Sequence, residues 1–255
     1  MNSIVLLVIF AVASYFIGNI NWAIIISKLK KKDIRKMGSG NPGTLNMSRN
    51  LGLGIGILTF LLDVSKGAIP TLVSFFVFRA RGFFPNSSFQ MYDFSIYLCG
   101  LMAVLGHIFP VIFKFKGGKG IATTIGALLV CESVHGVTWF VVVLMSLVGA
   151  LVFIYFTEFG AMGSFIAITP PAVSGSIRLF LTYASHQSNG ITLTFYLVTN
   201  MLILLLCFFT WFAHRKNIER MLSGEEHPTS IKEMVVKHKA KKLAKKRAQA
   251  ENCEK

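Results

Sequence analysis

The chain has 255 residues, 53% of them apolar, with 23 phenylalanines, a mean hydropathy of +0.61 and a formal net charge of +15. Soluble domains run at roughly 45–50% apolar even with glycine counted, so the composition excludes a soluble globular domain and predicts an integral membrane protein whose surroundings are the lipid bilayer. The cations cluster beside apolar segments, and no RNA- or DNA-binding motif surrounds them, which excludes nucleic acid as a partner.

A membrane span needs about 17–25 mostly apolar residues. Residues 3 to 27, 53 to 78, 94 to 113, 137 to 156 and 191 to 213 meet this directly. The first carries no charge before Lys28 and is too long for a signal-peptide core, so it is expected to stay in the membrane. Residues 119 to 133 are short and contain Gly126, and residues 160 to 181 contain Pro170 and Pro171, which should kink a helix. Counting both gives an all-α, polytopic fold of about seven transmembrane helices.

Charge sets the orientation. With the N-terminus outside, residues 28 to 50, 114 to 118, 157 to 159 and the tail from 214 are cytoplasmic and hold nearly all the cations. The outer loops keep only Arg79, Arg81 and Arg178. The C-terminus is then cytoplasmic. Residues 1 to 226 form the membrane domain, and 227 to 255 a basic tail. That tail, with Lys237, Lys239, Lys241, Lys242, Lys245 and Lys246, reads as a helix or arm near anionic lipid and is given no catalytic role. Cys99, Cys131, Cys207 and Cys253 have no metal-ligand spacing and are expected to be free, mostly buried thiols.

Three polar stretches fall at the cytoplasmic ends of these spans. In residues 38 to 52, Ser39, Asn41, Asn46 and Arg49 sit among turn-forming glycines just before an apolar helix, a setting that can present N–H groups, a hydroxyl and a bidentate phosphate binder together. Residues 106 to 120 bring His107, Lys114, Lys116 and Lys119 next to Gly117, Gly118 and Gly120, where glycine N–H groups could converge on one anion. The nucleotide P-loop is excluded, because Phe113 stands at its first glycine and Gly120 at its Ser/Thr. In the third stretch His214 and Asn217 share a helix face, Glu219 and Arg220 read as solvated, and Gly224 to Glu226 end the helix. Asp63 and Lys66, three apart in the second span, form a structural ion pair or help hold an anion.

Many phosphate donors at a membrane face, without a nucleotide motif, suggest a small phosphorylated molecule meeting a lipid. No acidic residue is placed to orient His214 as in a Ser-His-Asp triad, and no histidine has Asp five positions on, which excludes the His-x-x-x-x-Asp acyltransferase mechanism. Taken together, Gly38-Ser39-Gly40-Asn41 through Asn46 and Arg49, Gly106 to Pro110 with Lys114 to Gly120, and His214-Arg215 with Asn217-Ile218, Arg220, Gly224 and Glu226 resemble the three motifs of the acyl-phosphate-dependent glycerol-3-phosphate acyltransferases. These are bacterial seven-span enzymes of phospholipid synthesis.

The resemblance implies transfer of an acyl group from acyl phosphate to the 1-hydroxyl of sn-glycerol 3-phosphate at the cytoplasmic face of a bacterial cell membrane, giving lysophosphatidic acid and phosphate. Neither a cofactor nor a metal would be needed. By the same carry-over Ser39, Arg49, His214 and Asn217 are catalytic. Asn41, Asn46, Lys66, His107, Lys114, Gly117, Gly118, Lys119 and Gly120 bind substrate, and Asp63 and Glu226 are structural. The chain departs from the usual pattern at Thr44-Leu45, at Asn19 and Asn21 where Ser and Pro are expected, and at Glu158 and Ala161, although Ser164 remains. The alternative reading is a transporter of a small organic phosphate, but transporter sites tend to lie at the midplane between repeats, and no repeat is visible.

Overall fold

The computed structural model describes residues 2–185, 190–226, 228–230 and a few positions of the tail between 232 and 243. Up to residue 222 the described residues form ten α-helices: α1 (Ser3–Asn19), α2 (Trp22–Leu29), α3 (Thr44–Leu51), α4 (Leu53–Arg79), α5 (Met91–Ile108), α6 (Ile121–Ser133), α7 (Val137–Thr157), α8 (Gly160–Ser185), α9 (Gly190–Ala213) and α10 (Arg215–Leu222). Among the described residues six segments are long and apolar enough to cross a membrane, and α6 is a shorter apolar helix. Lipid offers backbone groups no hydrogen bonds, so helices are the expected solution.

The first span is two helices rather than one. Asn19 donates to the Tyr15 carbonyl at 2.6 Å, and Asn21 caps α2 by accepting from the Ile24 N–H at 3.0 Å. The break frees the Ile20 carbonyl, which the Lys66 ammonium reaches at 2.8 Å while pairing with Asp63 at 3.0 Å. Helix α8 continues through Pro170 and Pro171, and α4 through Pro70.

Helix α6 lies between α4, α5 and α8. A Cβ at Gly67 of α4 would run into the Thr123 carbonyl, and one at Gly126 of α6 into the Val64 carbonyl, so this pair of backbones meets through glycine on each side. The ends of α6 fix its direction. Its first turn touches His107 near the end of α5, where Thr123 Oγ1 stands 3.2 Å from His107 Nδ1. Just past its last turn, His135 meets Asp93 at the start of α5, 3.1 Å away. Helix α6 therefore runs antiparallel to α5 over the same depth, and the chain between them folds back beside α5.

At the end of the molecule marked by Asp93, a buried polar group ties α5, α6 and α8. Arg178 reaches Tyr97 Oη at 3.1 Å and Asp93 at 3.5 Å, and Tyr97 donates to Glu132 at 2.9 Å. Cys99 and Cys131 are buried and Cys207 half-buried, all free; Cys253 lies outside the described residues.

Candidate active site

The loop from Pro110 to Gly120 begins with a 3₁₀ turn, Val111–Phe113. Lys114 (φ 52°) and Phe115 (φ 59°) then take left-handed backbone conformations, unfavourable for non-glycine residues. Their reversal sends the chain back along α5, where the Gly117 N–H donates to the Ile108 carbonyl and the Gly118 N–H to the His107 carbonyl, both at 3.2 Å. A Cβ at Gly118 would collide with the His107 ring and one at Gly117 with the His107 carbonyl. The convergence of these two glycine amides on an anion, expected from sequence, therefore does not occur: they close off the carbonyl end of α5. The N–H groups left without a side-chain cap lie one step later, at the start of α6. Gly120 (φ 84°) precedes α6, whose N-terminus carries no side-chain cap, and Lys119 comes just before it in the chain.

Lys119 Nζ donates to Asn217 Oδ1 at 2.5 Å, and Asn217 Nδ2 donates to Glu226 Oε1 at 2.7 Å. The other oxygen of Glu226 accepts from Arg220 Nε at 3.1 Å. Arg220, read from sequence as solvated, is in fact half-buried in this network. Burial, followed by the repulsion of Arg220 and Arg49 and against the pull of Glu226, lowers Lys119 from the usual lysine range to about 8. It remains a cation at neutral pH.

His214 sits at the turn into α10, 2% exposed, with its ring edge-on to Phe165. Its Nδ1 lies 2.9 Å from the Thr210 carbonyl. A carbonyl only accepts, so Nδ1 holds the proton and Nε2 keeps a lone pair in the neutral ring. Burial first, then Lys119, lowers His214 to about 4. Thr210 also meets Thr124 of α6 at 2.9 Å, linking the histidine turn to the first turn of α6.

Asn46 pins the first polar stretch. Its Nδ2 reaches the Ile34 and Met37 carbonyls at 3.3 and 3.0 Å, and its Oδ1 accepts from the Ser39 N–H at 3.2 Å. Ser39 itself is exposed and Asn41 half-buried beside Gly43. Arg49, at the end of α3, donates through one terminal nitrogen to the Pro228 carbonyl at 3.2 Å and to Thr229 Oγ1 at 2.9 Å. Lys114 is exposed. Lys66 and Asp63 are only 3% exposed and engage each other and Ile20, so their charges face inward. The structure thus joins Lys119, Asn217 and Glu226 directly, with His214 next to them, and ties Arg49 to them through the chain that leaves Glu226. Sequence reading placed Arg220 in the third motif but took its side chain as solvated, and it missed Thr210 and Thr229, which have no motif of their own.

The sequence profile of the glycerol-3-phosphate acyltransferases matches residues 8–224. The chain belongs to this family. It is an integral membrane acyltransferase. The glycerol-3-phosphate acyltransferase of Finegoldia magna is 35% identical over 221 residues, covering 86% of this chain and 94% of the relative. The Mycoplasma mobile enzyme of the same name is 33% identical, covering 93% and 96%. Among solved structures, the glycerol 3-phosphate form of the integral membrane acyltransferase PlsY is 30% identical with a TM-score of 0.68, covering 90% of this chain and 98% of that one. Its lysophosphatidic acid form is 31% identical with a TM-score of 0.67.

Proposed function

We propose that this site joins the acyl group of an acyl phosphate to the 1-hydroxyl of sn-glycerol 3-phosphate, releasing phosphate and lysophosphatidic acid. The observation that carries the reading is the Lys119–Asn217 contact at 2.5 Å, which places a half-buried cation and the uncapped start of α6 beside the neutral His214. A helix N-terminus with an adjacent lysine is a phosphate site. Arg49 supplies a second, on the face bounded by Thr229. Ser39, Asn41 and Lys114 flank the site as further substrate contacts, and Asn46, Asp63, Lys66, His107 and Glu226 hold its walls.

In the reaction the hydroxyl oxygen attacks the acyl carbon, a tetrahedral oxyanion forms, and the bond to the phosphate oxygen breaks. Two held anions and one aimed donor supply most of the gain, one oxyanion donor being worth roughly 2.7–4 kcal/mol. The proton needs an acceptor. His214, lowered to about 4, is a weaker base than a phosphate monoester, whose second pKa is about 6. The proton therefore passes to a substrate phosphate, while His214 Nε2 accepts a hydrogen bond that orients the hydroxyl. The site faces the cytoplasm of a bacterial cell, the N-terminus lies outside, and the basic tail rests on anionic lipid.

The test is phosphate release by the detergent-purified protein given glycerol 3-phosphate with either palmitoyl phosphate or palmitoyl-CoA. Phosphate and lysophosphatidic acid formed from palmitoyl phosphate alone support the reading. Uptake of glycerol phosphate into proteoliposomes without chemical change would replace it with transport.

A further inference from the structure

Residues 228–230 lie beyond the end of the family match at residue 224, yet they are seated on the membrane domain. Thr229 is 4% exposed. Its N–H donates to the Glu158 carbonyl at 2.7 Å, at the turn between α7 and α8. A Cβ on Gly160 would stand 2.8 Å from Thr229 Oγ1. Three residues farther on, Lys232 lies over the Tyr155 ring at 4.6 Å. Residues 228–230 thus form a strap across one end of α7 and α8, and the Thr229 hydroxyl and the Pro228 carbonyl are spent on Arg49.

The chemistry of those two acceptors is informative. Both are neutral, so they fix the guanidinium without cancelling its charge. Both also use a single terminal nitrogen of Arg49. A guanidinium has five N–H donors in a fixed fork, so the edge formed by Nε and the other terminal nitrogen stays available to a bidentate anion. Glu226, the nearest carboxylate along the chain, is bound to Asn217 and Arg220.

We infer that Thr229 is a positioning residue: its hydroxyl holds Arg49 in the orientation that meets a substrate phosphate. This rests on the proposed binding of phosphate by Arg49. Without the hydroxyl, the long arginine side chain regains its rotamers and must be ordered by the substrate instead, which weakens binding more than it slows chemistry.

The experiment uses the full-length protein in detergent with palmitoyl phosphate and glycerol 3-phosphate. Thr229→Val is expected to raise KM for one of the two substrates about three- to tenfold with kcat within about twofold, the scale of one hydrogen bond to a charged, partly exposed group. Thr229→Ser should restore the wild-type value. Gly160→Ala, which presses on the hydroxyl from another element, should raise the same KM. In an Arg49→Ala background, Thr229→Val should add nothing. Equal effects of the Val and Ser variants, or a full additional loss in the Arg49→Ala background, would overturn the inference and leave phosphate binding by Arg49 intact. An unchanged KM for both substrates in Arg49→Ala alone would overturn the phosphate reading and the strap's purpose with it.

Discussion

Lys119 carries two pH effects of opposite sign. Its pKa of about 8 in the folded, substrate-free protein lies below the ordinary 10.5, so the unfolded chain binds more protons between those values. Stability from this group therefore rises as pH increases through 8 toward 10.5. Under the proposed function phosphate affinity goes the other way, because the ammonium that would hold the phosphate is lost above pH 8. KM for glycerol 3-phosphate is predicted to climb severalfold between pH 7 and 9, and Lys119→Met should remove most of that climb while raising KM throughout. A pH-independent KM in the wild type would show that Lys119 does not meet the substrate. At His214 the expectation is a rate effect: His214→Ala should slow turnover about 10- to 100-fold, as loss of an orienting acceptor does, while leaving measurable product. Complete loss with substrate binding intact would make the histidine the base. The lone pair at Nε2 could not be read from sequence, since it follows from the Thr210 carbonyl that holds the other ring nitrogen.

Among the elements, α6 decides most. Sequence reading located it from residues 119 to 133 and treated Gly126 as a weakness of that span; in the bilayer it is the contact that lets α6 lie against α4. Gly67→Ala and Gly126→Ala would each drive a methyl into a backbone carbonyl of the opposite helix. Overpacking costs about 1–3 kcal/mol, and for a chain of this size each kcal/mol is worth about 2–4 °C. Both variants should melt several degrees below wild type in detergent, whereas Gly54→Ala, with open space around it, should not. The spans were legible because hydropathy is a local signal, and most boundaries fall within three residues of the observed helices. The break in the first span was not, since it depends on Lys66 reaching a carbonyl 46 residues away. The departures at Asn19 and Asn21 make sense there: both amides satisfy backbone groups at the break, where the family pattern would use Ser and Pro. The glycines of the loop were found by composition, but the direction of their N–H groups depended on the fold-back along α5.

For the whole molecule, the polar stretches gather at one end and the Asp93–Arg178–Tyr97–Glu132 group at the other. Clustering of motifs was legible from sequence because topology puts alternate loops on one side; the tie from Arg49 to Thr229, 180 residues apart, was not. The proposed orientation rests on charge alone: the end with α2, α3 and α10 carries Lys28, Lys30, Lys31, Lys32, Arg35 and Lys36, and the other end carries Arg79 and Arg81. That asymmetry can be tested without any assay of activity. Cys99 and Cys131 are buried and Cys207 is half-buried within the bundle, so with Cys253 replaced by Ser an introduced thiol can be labelled against a quiet background. Pro85→Cys, in the exposed loop before α5, should react with a membrane-impermeant maleimide in intact cells. Lys32→Cys, exposed after α2, should react only once the membrane is opened. The reverse pattern would turn the molecule over and place the end with Lys119 and Arg49 outside.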